Sequence, residues 1–145
     1  MTPKPRERQR ITVQRTVILE ELRNLHGHPT ADEICELVRK RLLRVSLGTI
    51  YRNLERLAEE GQIRTLDCAG APRRFDARLE PHYHVCCSRC GRIEDVDLET
   101  TSDLDDQAAS RSGYVISGHS ILFTGLCPEC TIASRQRPQE ENAGQ

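Results

Sequence analysis

Four cysteines stand in two equal spacings, Cys87-Ser-Arg-Cys90 and Cys127-Pro-Glu-Cys130. Two residues between cysteines let one tight turn aim both sulfurs at a single ion. Two such turns supply four thiolates, the donor set of a closed, tetrahedral structural zinc site. The 36 residues between the pairs exceed the span of a compact zinc ribbon, so the ion would tie distant strands together and supply folding free energy. One pair alone would leave thiol redox chemistry open; two pairs favour zinc. Cys35, Cys68 and Cys86 fall outside the pattern and are expected simply to be buried.

A second cluster is His82-Tyr83-His84. On a strand, residues two apart project from one face, so both imidazoles could grip one ion. Val85 and Cys87 would face the other way, which separates this cluster from the thiolates. Two histidines could also be hydrogen-bonded surface residues; their place just before the first cysteine pair raises the case for a second metal.

The elements that must position these groups follow from periodicity. Apolar residues at Ile11, Val17, Ile18, Leu19, Leu22 and Leu25 have helical spacing, and Gly27 and Pro29 end that helix. Thr30 and Glu33 form a capping box for a second helix with Ile34, Leu37, Val38 and Leu42 on one face. Ser46 opens a third, with Leu47, Ile50, Leu54, Leu57 and Ala58 buried and Gly61 as its stop. Strand-like runs at 62–67 and 73–76 flank a turn at Gly70–Pro72. Three helices and a hairpin predict a winged helix-turn-helix, whose third helix would present Thr49, Tyr51, Arg52, Asn53 and Arg56 to DNA. Further on, 83–87, 92–96, 114–117 and 121–124 read as strands and 103–112 as a weak polar helix.

Composition divides the chain in two. Of its 145 residues, 1–78 carry 16 Lys and Arg against 11 Asp and Glu, and the remainder 5 against 11. A basic half suits a polyanion, an acidic half something else. Five aromatics, three Tyr and two Phe, are thin material for a core, which adds to the case for a metal staple. No hydrophobic run exceeds three residues, against the roughly 20 that a membrane-spanning helix needs. The start, MTPKPRERQR, is too polar for a secretory signal, so a cytoplasmic protein is expected. The predicted class is α+β: a winged-helix DNA-binding domain at 1–78 with a basic tail at 1–10, a metal-binding domain at 79–132, and a disordered tail at 133–145.

HPTADEI (28–34), GTIYRNLERL (48–57), RFD (74–76), HYHVCCSRCGRIEDV (82–96) and CPEC (127–130) together resemble the ferric uptake regulator family, over roughly residues 8–130. The resemblance implies a homodimeric, metal-dependent transcriptional repressor with a C-terminal α/β dimerisation domain. It assigns Cys87, Cys90, Cys127 and Cys130 to structural Zn(II). It assigns His28, Asp76, His82, His84 and Asp95 to a regulatory metal, and three imidazoles with two carboxylates suit Fe(II) or Mn(II) and can leave a position open. Asp95, where iron-uptake members usually place Glu, resembles the peroxide-sensing branch, as does Asp76. A further metal site of some members would need an acidic ligand where Tyr83 stands, which leaves His119 without its expected company.

These assignments imply a mechanism. An ion needing donors from both halves would hold the DNA-binding domains at one angle to the dimer, so that both recognition helices enter successive major grooves, about 34 Å apart, on a palindromic operator. With Fe(II), peroxide would oxidise a ligand, His28 or His82, to its 2-oxo form and release DNA; Mn(II) would not support this. Three alternatives remain: an iron-responsive uptake repressor, a zinc or thiol redox switch centred on Cys87, and, from another class, a small metallohydrolase at His82 and His84. The last is the weakest, since no general base stands nearby in a recognisable motif.

Overall fold

The computed structural model describes residue 2 and residues 4–136. The order of elements is α1 (Pro5–Asn24), α2 (Ala31–Arg39), α3 (Leu47–Glu59), β1 (Arg64–Leu66), β2 (Arg74–Asp76), β3 (Tyr83–Cys87), β4 (Ile93–Val96), α4 (Asp103–Ser112), β5 (Leu122–Gly125) and α5 (Pro128–Gln136). The chain falls into two compact units. The first is Met1–Asp67 with Ala71–Pro81, and the second is Cys68–Gly70 with His82–Gln145. The division at 81/82 lies close to the 78/79 boundary expected from composition. The exception is the loop between β1 and β2, which lends Cys68–Gly70 to the second unit.

The first unit is three helices and a hairpin. Thr30 Oγ1 accepts from the Glu33 amide at 3.3 Å and Ser46 Oγ from the Thr49 amide at 3.2 Å, so both helix starts close as their cap residues demand. Gly61 takes the left-handed φ of 71° that ends α3. The apolar stripes of the helices meet in one core, where Ile18, Ile34, Val38, Ile50, Leu54 and Leu57 are fully buried and Phe75 of β2 closes the base. β1 and β2 pair antiparallel, Thr65 opposite Phe75. The expected basic tail is instead the first turns of α1: Pro5 suits the first helical position, its missing N–H being one the helix leaves unsatisfied anyway.

The second unit is a three-stranded sheet in the order β4-β3-β5. β3 is central, antiparallel to β4 with His84 opposite Asp95, and parallel to β5 with Cys87 opposite Gly125. The polar helix at 103–112 forms as read from sequence, ended by Gly113 at φ 75°. The expected strand at 114–117 does not form. Tyr114 is 74% exposed and Val115 101%, and a run of three apolar residues cannot specify a strand without a neighbour to pair it. Residues 133–136, expected in the disordered tail, complete α5, and 137–145 lie outside the described residues. Among the described residues, no helix is long and apolar enough to cross a membrane.

Leu54→Ala should cost about 2–5 kcal/mol by the usual core-truncation range, read as a lower urea midpoint. Tyr51→Ala, on the exposed face of the same helix, should stay within about 0.5 kcal/mol.

Candidate metal centres and nucleic-acid interface

Cys87 ends β3, Cys90 follows in the turn to β4, and Cys127 and Cys130 stand at the start of α5. The parallel pairing of β3 with β5 is what brings the two pairs together across 36 residues. The four sulfurs lie within 4.8 Å of one another, and Cys90 Sγ is 3.9 Å from Cys127 Sγ. A tetrahedral ion with sulfur bonds of about 2.3 Å sets its ligands about 3.8 Å apart, so the cage fits zinc. Backbone amides prepare it. The amides of Cys127 and Cys90 donate to Cys87 Sγ at 3.4 and 3.5 Å and lower its pKa to about 6. Cys130, against the Cys127 thiol, is pushed up to about 12. Four crowded thiols cannot all ionise alone; a dication reverses that penalty.

The other donors stand in two groups, one in each unit. In the first unit, Arg74 donates to the His28 carbonyl at 2.8 Å and the Phe75 amide to the Pro29 carbonyl at 3.0 Å. These bonds pin the segment before α2 to β2 and set His28 Nδ1 3.7 Å from Asp76 Oδ2, both side chains 5% exposed. Asp76 Oδ1 accepts from the Arg78 amide at 2.8 Å, which orients the carboxylate. In the second unit, His82 and His84 project from one face, their ring centroids 4.3 Å apart. Each Nε2 stands 3.3 Å from Asp95 Oδ1, delivered by the β3–β4 register. Imidazole and carboxylate donors of this kind fit Fe(II) or Mn(II).

His119 is not isolated, contrary to expectation. Its Nδ1 lies 2.7 Å from Asp105 Oδ1 and its Nε2 2.8 Å from the Tyr83 hydroxyl. Tyr83 thus occupies the position by hydrogen bonding where an acidic ligand was sought. Asp105, on α4, was missed because nothing in a polar helix marks which carboxylate turns inward.

On α3, Tyr51, Arg52 and Arg56 are exposed, with Arg52 held near Thr49 Oγ1 at 3.2 Å and Arg56 near Glu60 at 2.8 Å. Asn53 departs from the expected base-reading role. It is 7% exposed and donates Nδ2 to the Thr49 carbonyl at 2.9 Å, so its amide faces the helix. Thr49 is engaged with Ser46 at the cap.

The Ferric uptake regulator family model matches residues 6–124. The chain belongs to the ferric uptake regulator family. Among its relatives, the peroxide operon regulator of Bacillus subtilis (strain 168) is 37% identical over 122 residues, 84% of each chain. A peroxide-responsive repressor, PerR, of Staphylococcus epidermidis is 33% identical over 83% of this chain and 81% of that one. The crystal structure of a Campylobacter jejuni peroxide stress regulator superposes with a TM-score of 0.75 at 28% identity, over 84% of this chain and 92% of that one. Regulators of this family bind DNA operators and are dimers, and the four-cysteine cage and the histidine–aspartate donors of this member fit zinc and iron or manganese respectively.

Cys90→Ser should abolish stoichiometric zinc on metal analysis and lower the melting temperature, because the cage closes the second unit. His28→Ala should leave zinc content unchanged.

Proposed function

We propose that this protein is a metal-dependent transcriptional repressor that releases DNA when peroxide oxidises one of its histidine ligands. The observation that carries the reading is that donors of one kind are prepared separately in the two units, His28 with Asp76 and His82 with His84 and Asp95. One ion taking ligands from both groups would couple the DNA-binding unit to the second unit, and only a conformation that joins them would satisfy it. To move such an equilibrium from 1:99 to 99:1, the ion must prefer that conformation by about 5.5 kcal/mol.

Each residue has a task in this reading. His28 and Asp76 report the position of the helical unit, since hydrogen bonds to β2 and to the Arg78 amide hold them. His84 and Asp95 are held by a central strand and its neighbour, with His82 directly before that strand, and the three form the rigid half. When bound, Fe(II) supplies peroxide reduction beside its ligands, which Mn(II) does not. His28 and His82 are the ligands proposed to be oxidised, and a 2-oxo ring loses the donor nitrogen character on which gripping the ion depends. The peroxide signal of this reading is supported by the Bacillus and Staphylococcus relatives, whose names are those of peroxide regulators.

DNA contact falls to Tyr51, Arg52 and Arg56 with the helix start at Thr49, and Asn53 serves to hold the helix. A second copy would cover β5, an edge strand exposed at every residue, with Leu122 and Phe123 on it. Twofold symmetry then makes a palindromic operator the natural target, bound in the cytoplasm.

The decisive experiment is operator binding at fixed salt by zinc-containing protein carrying iron, manganese or no regulatory metal, with and without hydrogen peroxide. Both metals should tighten binding. Peroxide should release only the iron form, with one oxygen gained on tryptic peptide 24–39 or 79–89. Equal binding without the regulatory metal, or release without either oxygen, would overturn the reading. Arg52→Ala should weaken binding and flatten its salt dependence, with no change in metal affinity.

A further inference from the structure

Cys68 and Cys86 serve neither group of metal donors, yet they are not merely buried as the sequence led us to expect. They are joined as a disulfide, 18 positions apart along the chain and with Cα atoms 6.0 Å apart, a Cα separation normal for such a bond. Both are shielded, at 4% and 1% exposure. Their settings differ. Cys86 lies within the central strand, its backbone flanked by Ile93 of β4 and Thr124 of β5. Cys68 belongs to the loop between β1 and β2, two residues before Gly70, which takes a left-handed φ of 76°. Its Sγ also stands 3.6 Å from the Cys87 carbonyl oxygen, an acceptor ready for a thiol S–H, so the reduced residue has a place to bond as well.

The ring that this bond closes, residues 68–86, contains Asp76, His82 and His84. Three of the five proposed regulatory donors therefore sit inside one covalent loop, and the strand that carries its anchor also carries His84 and starts directly after His82.

We propose that Cys68 and Cys86 form a reversible thiol–disulfide clasp, oxidised by a hydroperoxide and opened by a dithiol, that preorganises the regulatory metal donors. In oxidation, the Cys68 sulfur attacks one peroxide oxygen; the O–O bond breaks, one water leaves and a sulfenic acid remains. The Cys86 sulfur then attacks Cys68 Sγ, the S–O bond breaks and a second water leaves. The two thiols lose two electrons and two protons to one H2O2, which becomes two waters. A dithiol reverses the bond by exchange and is itself oxidised to a disulfide. In a reducing compartment, bonds of this kind are sensing rather than permanent. Closing the loop removes disorder from the open donors, so the oxidised form binds metal more tightly, on the order of tenfold.

The metal arm rests on the repressor reading; the crosslink does not. The test uses full-length, zinc-containing protein loaded with manganese, so that iron chemistry is absent. After peroxide, thiol blocking and trypsin, peptides 65–73 and 79–89 should appear linked through Cys68 and Cys86, two hydrogens lighter than their sum and separated by dithiothreitol. Manganese affinity, measured against a fluorescent chelator, should fall about tenfold on reduction, and Cys68→Ser and Cys68→Ala should both show the reduced affinity under either condition. Linkage through Cys87, no linkage with zinc retained, or equal affinity in the two redox forms would overturn the clasp. Manganese-independent operator binding by the reduced protein would overturn the repressor reading and leave the crosslink result to stand on its own.

Discussion

The register of β3 is the constraint on which the rest depends. Side chains alternate across a strand, so His82 and His84 share a face and Cys87 takes the other. β4 on one side and β5 on the other hydrogen-bond this strand, and a slip of one residue would exchange the two faces. The same pairing sets Asp95 against the imidazoles and brings the turn at Cys90 to Cys127 and Cys130. Two kinds of metal chemistry, hard and soft, are thus kept apart by the pleat of one five-residue strand.

The two metal sites have different physical jobs. Four thiolates around zinc close a shell that water and substrates do not enter, so the ion acts as a covalent staple where aromatic residues are scarce. Imidazoles and carboxylates bind iron and manganese less tightly and exchange them, which suits a signal. Neither half of the second donor set is complete: His28 and Asp76 offer two ligands, the β3–β4 pair three. In the proposed reading, an incomplete set in each unit would let one ion act as a switch, since a complete set would bind without the other.

Much of the chain was legible because its signals are local. Thr30 and Ser46 cap their helices by hydrogen bonds spanning three residues, and the polar helix at 103–112 is bounded by its own Gly113. The expected strand at 114–117 failed because strand formation depends on a partner, and Tyr114 and Val115 face solvent with none beside them among the described residues. Asn53 was misread because a polar residue on an exposed-looking face can fold its amide back onto the carbonyl four residues earlier.

Sequence alone determined the ligand types and their short spacings: two thiols per turn and two imidazoles two residues apart. Those follow from turn and strand geometry, which act over a few residues. Only the tertiary structure decided that Cys68 meets Cys86, that Asp105 and Tyr83 hold His119, and by which strand pairing the two cysteine pairs reach each other. Each of these joins residues many positions apart, and which distant groups meet is set by how strands pair and helices pack, not by the chain's local preferences.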